Sequence, residues 1–311
     1  MNEFDYIEKF FKPLTNEYAD NLKNDAAVIN LNKSFDLIIS TDTLAEGIHF
    51  FGNENPKDIA KKSLRVNLSD MAAMGARPIF YNLSLSIPKE KAKTFIPKFA
   101  KGLRDDQEKF KIKLIGGDLT SSLKHINITI TIFGKTLKNR SIPRHGSRVG
   151  DSLYVSGLLG LSKIGLDNFS SNLKDFIDAK NKYLFPQPRV DLGISLRNIA
   201  NSMIDISDGL VQDATHLAKN SNLSIELDLD KIPVPEIKML DKEKILDSAL
   251  YGGDDYELLF SCNPSKHSIL KKLSHKKNIK LTKIGVFEKY KTCFLKFKNS
   301  TSKPKNSFLH F

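Results

Sequence analysis

The chain contains no tryptophan and only two cysteines, Cys262 and Cys293, in 311 residues. Two isolated cysteines make neither a disulfide framework nor a zinc site, so reduced thiols are expected. No apolar run approaches the ~18 residues that a membrane-spanning helix needs. Residues 1–11 carry Glu3, Asp5 and Glu8 where a secretory leader would be basic and then apolar. A cytoplasmic protein with no membrane partner is the expectation. The common phosphate-binding signatures are also missing. There is no G-x-x-x-x-G-K-[ST] loop, and Gly157-Leu158-Leu159-Gly160 runs on into apolar residues. No H-R-D or D-F-G pair occurs, and no G-x-G-x-x-G follows a strand, so any nucleotide here is held by another route.

What is present is the balance of a soluble globular protein, with 40% hydrophobic and 27% charged residues. The length suits one large domain or two ordinary ones. The net charge of +12 raises the question of an anionic partner. The lysines are scattered among acids, as at 89–101 and 266–283, and no arginine-rich arm accompanies them. That pattern reads as a solvated surface rather than a nucleic-acid site. The competing reading, a basic non-catalytic nucleic-acid-binding protein, predicts binding that falls steeply with salt.

Both halves read as mixed α/β. In the first, strands are expected over 35–40, 79–87, 113–115 and 125–133, with Gly116-Gly117 breaking the third. Helices are expected over 58–74, behind Asn55-Pro56, and over 89–110. Residues 137–151 are basic, carry Pro143, Gly146 and Gly150, and lack periodicity, which marks a domain junction. The second half restarts with strands at 152–156, 203–206, 224–229 and 256–260 and helices at 189–201 and 210–220.

The aspartates carry the chemical signal. Asp42 closes Ser40-Thr41-Asp42 after a strand, and Asp70 sits late in a helix. Asp118 and Asp254-Asp255 each follow a Gly-Gly pair, Asp205 and Asp208 flank Ile206-Ser207, and Asp25 precedes a small apolar run. Any one of these alone is better explained as a turn or cap residue. Together, at element ends, they suggest a site. Carboxylates brought together repel unless cations lie between them, and Mg²⁺ is the hard cation that takes such oxygen ligands. Gly116-Gly117 is expected to let backbone N–H groups approach a phosphate.

Several ordered segments make the likeness specific. They are Ser40-Thr41-Asp42-Thr43-Leu44, Gly47-Ile48-His49-Phe50, the run Val66 to Ala76 containing Asn67-Leu68-Ser69-Asp70, and Ile115-Gly116-Gly117-Asp118. Ile204-Asp205-Ile206-Ser207-Asp208-Gly209-Leu210 and Gly252-Gly253-Asp254-Asp255-Tyr256-Glu257-Leu258 follow. In order and spacing the chain resembles the thiamine-monophosphate kinases, within the superfamily of aminoimidazole-ribonucleotide synthetase, over nearly its whole length. Other members fit less well. Selenophosphate synthetase needs a reactive residue near the N-terminus, where no cysteine precedes Cys262. The hydrogenase-maturation member ends in cysteine, whereas this chain ends in Phe311.

The resemblance implies an α/β fold of two domains. Residues 1–140 would form an N-terminal ATP- and metal-binding domain that dimerises, and 141–311 a C-terminal α/β domain. It implies transfer of a phosphoryl group from ATP to thiamine monophosphate by a homodimer using several Mg²⁺ ions, with the ATP cleft reaching the dimer interface. Matching positions imply metal ligands at Asp25, Ser40, Thr41, Asp42, Asp70, Asp118, Asp205 and Asp208. They imply nucleotide contacts at Thr41, Gly117, Asp118, Arg144 and Ser207, and substrate contacts at His49, Asp254 and Phe308. Asp42, Asp208 and Arg144 are the expected catalytic groups. Asn24 and Asp254 depart from the family pattern, which usually has Asp and Glu there.

Overall fold

The computed structural model describes residues 23–298, together with Asp5, Glu8, Lys12–Leu14, Asp20 and Asn21. Phe308 lies outside the described residues. The first half builds a five-stranded sheet from β1 (Ala27–Asn30), β2 (Phe35–Ala45), β3 (Arg77–Pro88), β4 (Lys113–Ser122) and β5 (Asn127–Leu137), in the order β1-β2-β5-β3-β4. Neighbours are antiparallel except β3 and β4. A parallel pair needs a crossover, and α2 (Lys89–Phe110) supplies it. In β5, Ile128, Ile130 and Ile132 are fully buried, while Asn127, Thr129 and Thr131 between them are half-buried. That period of two points one face of the sheet at the helices and leaves Thr41 and Thr43 of β2 exposed on the other.

Helix α1 (Pro56–Ala73) lies at the centre of the molecule. Asn55 caps it by accepting from the Lys57 N–H, and Pro56 pre-sets its first turn. It is buried almost all round rather than along one stripe, because the sheet, α2 and the second half each pack against it.

The second half builds a six-stranded sheet from β6 (Ser152–Ser156), β7 (Ser202–Asp205), β8 (Leu223–Leu227), β9 (Leu258–Cys262), β10 (Leu281–Lys289) and β11 (Leu295–Phe297), in the order β11-β8-β10-β6-β9-β7. Around it lie α3 (Leu161–Asp167), α4 (Ile177–Leu184), α5 (Val190–Leu196), α6 (Leu210–Asn220), α7 (Lys242–Tyr251) and α8 (His267–Lys277). The halves share a core. Ala72 and Ala73 of α1 pack with Leu192, Leu196, Met203 and Phe260 of the second half. The Ile142 N–H donates to Met74 O at 3.1 Å, and Arg197 Nε donates to Gly75 O. Both sheets mix with helices, as the sequence pattern implied.

Several boundaries differ from expectation, each for a physical reason. Strand β2 runs to Ala45, so Thr41 and Asp42 lie inside a strand whose neighbour β5 continues alongside them. Strand β4 passes straight through Gly116-Gly117 and Asp118. A Cβ at Gly117 would stand 1.8 Å from Leu83 O, so the glycine is required by the close approach of β3 rather than by a break in the chain. Helix α5 stops at Leu196 instead of continuing to 201, because Arg197 turns extended and Asn198 holds a φ of 65°, which no helix accommodates. Strand β9 starts at Leu258 because Asp254 and Tyr256 hold positive φ angles of 66° and 50°, which no strand accommodates.

Candidate active site

A cleft of ≈440 Å³ opens between the two halves. Asp42, His49 and Asp70 line it from the first half, and Asp205, Ser207, Asp208 and Asp254 from the second. Alternation along β2 sends Ser40 and Asp42 to the helix-covered face and Thr41 to the opposite one. The Thr41 hydroxyl is exposed there and donates to Thr131 Oγ1 at 3.0 Å, so it does not join the carboxylates. Asp70 reaches the cleft from the last turn of α1, and Asp205 from the end of β7.

Asp25, Asp70 and Asp205 each offer an oxygen within 4.8 Å of the others. Ser40 Oγ donates to Asp70 Oδ2 and to the Asp25 carbonyl, tying two of the three segments together. The Asp42 N–H donates to Asn67 Oδ1 at 3.2 Å. Crowding of acids in a dry place has the expected effect on their protonation. Burial first, and then the charge of Asp25, pushes Asp42 up to about 6 and Asp205 up to about 8. Burial, then Asp42, Asp205 and Asp25, raise Asp70 well above the carboxylate range. Asp213 is raised too, by burial and then by Asp208 and Asp205.

Residues so placed fit a hard divalent cation. All donors are oxygens, their mutual repulsion is what a cation would relieve, and the buried Asp25 Oδ2 has no hydrogen-bond partner. The other Asp25 oxygen accepts from Arg144 Nη2. Burial works against the Arg144 charge, but the Asp25 carboxylate outweighs it and holds the guanidinium more firmly protonated than usual. Asn24 has its own part in this corner. Its Oδ1 accepts from the Arg144 N–H at 2.9 Å and its Nδ2 donates to Asp20 Oδ2 at 2.8 Å, so it ties the Arg144 backbone to the Asp20 carboxylate.

At the other end, the His49 Nδ1 accepts from the Ala45 N–H at 3.0 Å, which puts the ring proton on Nε2. The Asp254 N–H donates to Ser207 O and the Tyr256 N–H to Ile206 O, both at 2.8 Å. Gly253 permits this clamp, since a Cβ there would lie 2.3 Å from Ser207 O. Asp208 is steadied by Gln212 Nε2 at 2.9 Å and by its own N–H donating to Asp213 Oδ2 at 3.3 Å.

Gly117 and Asp118 do not meet the cluster within this chain. Strand β4 is separated from β2 by β5 and β3, three strand spacings or about 14 Å, and Asp118 is exposed on that edge. Their segment is a continuous strand, not one broken at the glycine pair. Sequence reading also missed Ser69, Tyr183, Asp213 and Tyr256. Ser69 and Tyr256 stood inside the matched motifs, but nothing in their residue types marked them. Tyr183 and Asp213 lie in segments that carried no motif.

Two mixed sheets closing on a carboxylate-lined cleft define a protein of the AIR synthase related class. The model of that family's N-terminal domain matches residues 23–136, and that of its C-terminal domain matches residues 148–298. Curated relatives narrow the class. The thiamine-monophosphate kinase of Buchnera aphidicola subsp. Schizaphis graminum is 41% identical, across 91% of this chain and 90% of that one. That of Escherichia coli K12 is 37% identical across 83% and 82%. Among solved structures, AaThiL complexed with AMPPCP and TMP superposes with a TM-score of 0.89 at 30% identity, covering 100% of this chain and 97% of that one. The chain belongs to the thiamine-monophosphate kinase family.

Proposed function

We infer that this protein transfers the γ-phosphoryl group of ATP to the phosphate of thiamine monophosphate. A phosphate oxygen of the acceptor forms the new bond to phosphorus, and the bond to the β-phosphate's bridging oxygen breaks. ADP leaves with that electron pair, and thiamine diphosphate is the product. The attacking oxygen is already anionic at neutral pH, so no general base is required. The work of the protein is positioning and charge balance. The observation that carries the reading is the convergence of Asp25, Asp70 and Asp205, from three separate segments, beside a cleft that also holds His49 and Asp254.

Mg²⁺ held by Asp25, Asp42, Asp70, Asp205 and Asp208, with Ser40 beside them, would supply the charge neutralisation two anionic reactants need. Among the chain's own groups, Arg144 brings a cation to that corner and Ser207 lies on the cleft wall for the nucleotide. His49 and Asp254 stand at the acceptor end, with Phe308 proposed to join them.

A second copy of the chain is part of this proposal. Strand β4 is an exposed edge carrying Leu114, Ile115 and Leu119, all accessible. A homodimer that covers it would bring one copy's Gly117 and Asp118 toward its partner's cleft, which its own chain does not do. We take the domains as residues 1–140 and 141–311, and a reducing, cytoplasmic setting suits the two free thiols. No helix among the described residues is long and apolar enough to cross a membrane.

The test is direct. Purified protein with MgATP and thiamine monophosphate should form thiamine diphosphate and ADP in equal amounts. Folded protein that forms neither over a range of Mg²⁺ concentrations overturns the reading.

A further inference from the structure

A buried ammonium sits behind the acceptor end of the cleft. Lys62 belongs to α1, and its side chain is only 4% exposed. Its Nζ donates to Asp254 Oδ2 at 2.8 Å and to the His49 carbonyl at 3.0 Å, and it lies 3.6 Å from the centre of the Tyr183 ring. These partners come from three other segments: the β2–α1 loop, α4, and the turn before β9. Lys62 does not itself line the cleft, whereas all three partners do.

The contacts form a closed set. The Tyr183 hydroxyl donates to the same His49 carbonyl at 3.1 Å. The Tyr256 hydroxyl donates to Asp254 Oδ1 at 2.9 Å. Both carboxylate oxygens of Asp254 are therefore held by the protein, and the plane of the group is fixed while 30% of its side chain stays accessible. The backbone of Asp254 is held at a φ of 66°, a conformation that needs support from its surroundings. An ammonium removed from water is costly unless charge, hydrogen bonds and a ring face surround it, and here all three do.

We propose that Lys62 is the positioning residue of the acceptor end: its ammonium locks the Asp254 carboxylate, the His49 backbone and the Tyr183 ring into one preset surface without touching the substrate. The pairing also decides what Asp254 offers. Its charge is balanced by Lys62, so a bound ligand meets oriented acceptor lone pairs rather than a free anion. The thiazolium of the acceptor is therefore not recognised by an isolated counter-charge. That this surface receives thiamine monophosphate rests on the function proposed above; the positioning of the three groups does not.

K62M keeps the aliphatic bulk and removes the charge. Its KM for thiamine monophosphate should rise about tenfold or more, with kcat and the KM for ATP within about threefold of wild type. K62R should recover part of the loss. A KM for the acceptor that stays unchanged or falls overturns the proposal, and so does an equal loss for both substrates. Amide hydrogen exchange on the ligand-free protein provides a second readout. K62M should speed exchange at residues 48–51 and 252–256 and spare β5. Wild-type exchange rates in those two segments overturn the proposal even if the kinetics change. If the wild type makes no thiamine diphosphate, the proposed function fails and the exchange measurement still decides the role of Lys62. Should K62M not fold, K62Q takes its place in both experiments.

Discussion

Ser69 in α1 donates a 2.6 Å hydrogen bond to Asp205 at the end of β7, and both side chains are buried. This bond joins the helix of one half to the strand of the other beside the carboxylate cluster. Ser69→Ala strips Asp205 of that donor in a dry setting. A stability loss of about 1–2 kcal/mol is expected in urea titration. The Mg²⁺ concentration for half-maximal turnover should also rise several-fold, because Asp205 is no longer aimed. An unchanged Mg²⁺ requirement would show that Asp205 orients without Ser69.

Asp42→Asn removes one negative charge from the cluster and keeps the shape. Turnover should fall by at least about a hundredfold, while thermal melting stays at or slightly above the wild-type value, since a repelled acid has been neutralised. Wild-type kcat in this variant at saturating Mg²⁺ would rule out the cation-holding role of the cluster.

Glu257 accepts from Lys182 Nζ at 2.8 Å, from Arg189 Nε and Nη2 at 2.7 and 2.6 Å, and from Ser156 Oγ at 2.6 Å, with 1% of the residue exposed. Burial opposes its charge, but Lys182 and Arg189 outweigh that and keep its pKa below the ordinary value. Glu257→Gln leaves two cations around a neutral amide. A loss of about 3–5 kcal/mol is expected in denaturant unfolding. A change within the error of the titration would mean that water replaces the carboxylate there.

His216, on α6, is pushed down to about 4 by burial and by the nearby charges of Arg144 and Lys219. Its folded pKa is below the unfolded value, so the unfolded chain binds the extra proton between about pH 6.5 and 4. The stability it contributes is complete above 6.5 and is lost as the pH falls toward 4. That loss is at most about 3.4 kcal/mol for this one group, about 1.36 kcal/mol for each pH unit between 6.5 and 4. His216→Gln should flatten the stability profile over that interval and leave it unchanged above pH 7. Parallel profiles for the two proteins would locate the acid sensitivity elsewhere.

How much of the molecule was legible in the sequence depends on the range of the forces involved. The Ile126–Ile132 alternation and the Asn55-Pro56 start of α1 are local signals, and both appear in the structure as read. The end of β2 was misread because Ser-Thr-Asp looks like a turn, while pairing with β5 holds it extended through Ala45. Gly116-Gly117 looked like a strand break for the same reason, yet pairing with β3 carries β4 straight through it. Gly117 is needed there because its backbone passes close to the Leu83 carbonyl, which is remote in sequence.

The sequence by itself determined the residue chemistry: the acids at element ends, the absence of any Walker-type loop, and motifs specific enough to place the chain in a family. Only the tertiary structure decided which of those residues meet. It brought Asp25, Asp70 and Asp205 together, set Thr41 on the far face of the sheet, and left Asp118 on a distant edge. It also surrounded Lys62 with His49, Tyr183 and Asp254, a set that no spacing announces. The reason is that residue type and local period set what each segment offers. Crossover connections, strand order and the packing of α1 between two sheets bring segments into contact, and those are properties of the whole chain.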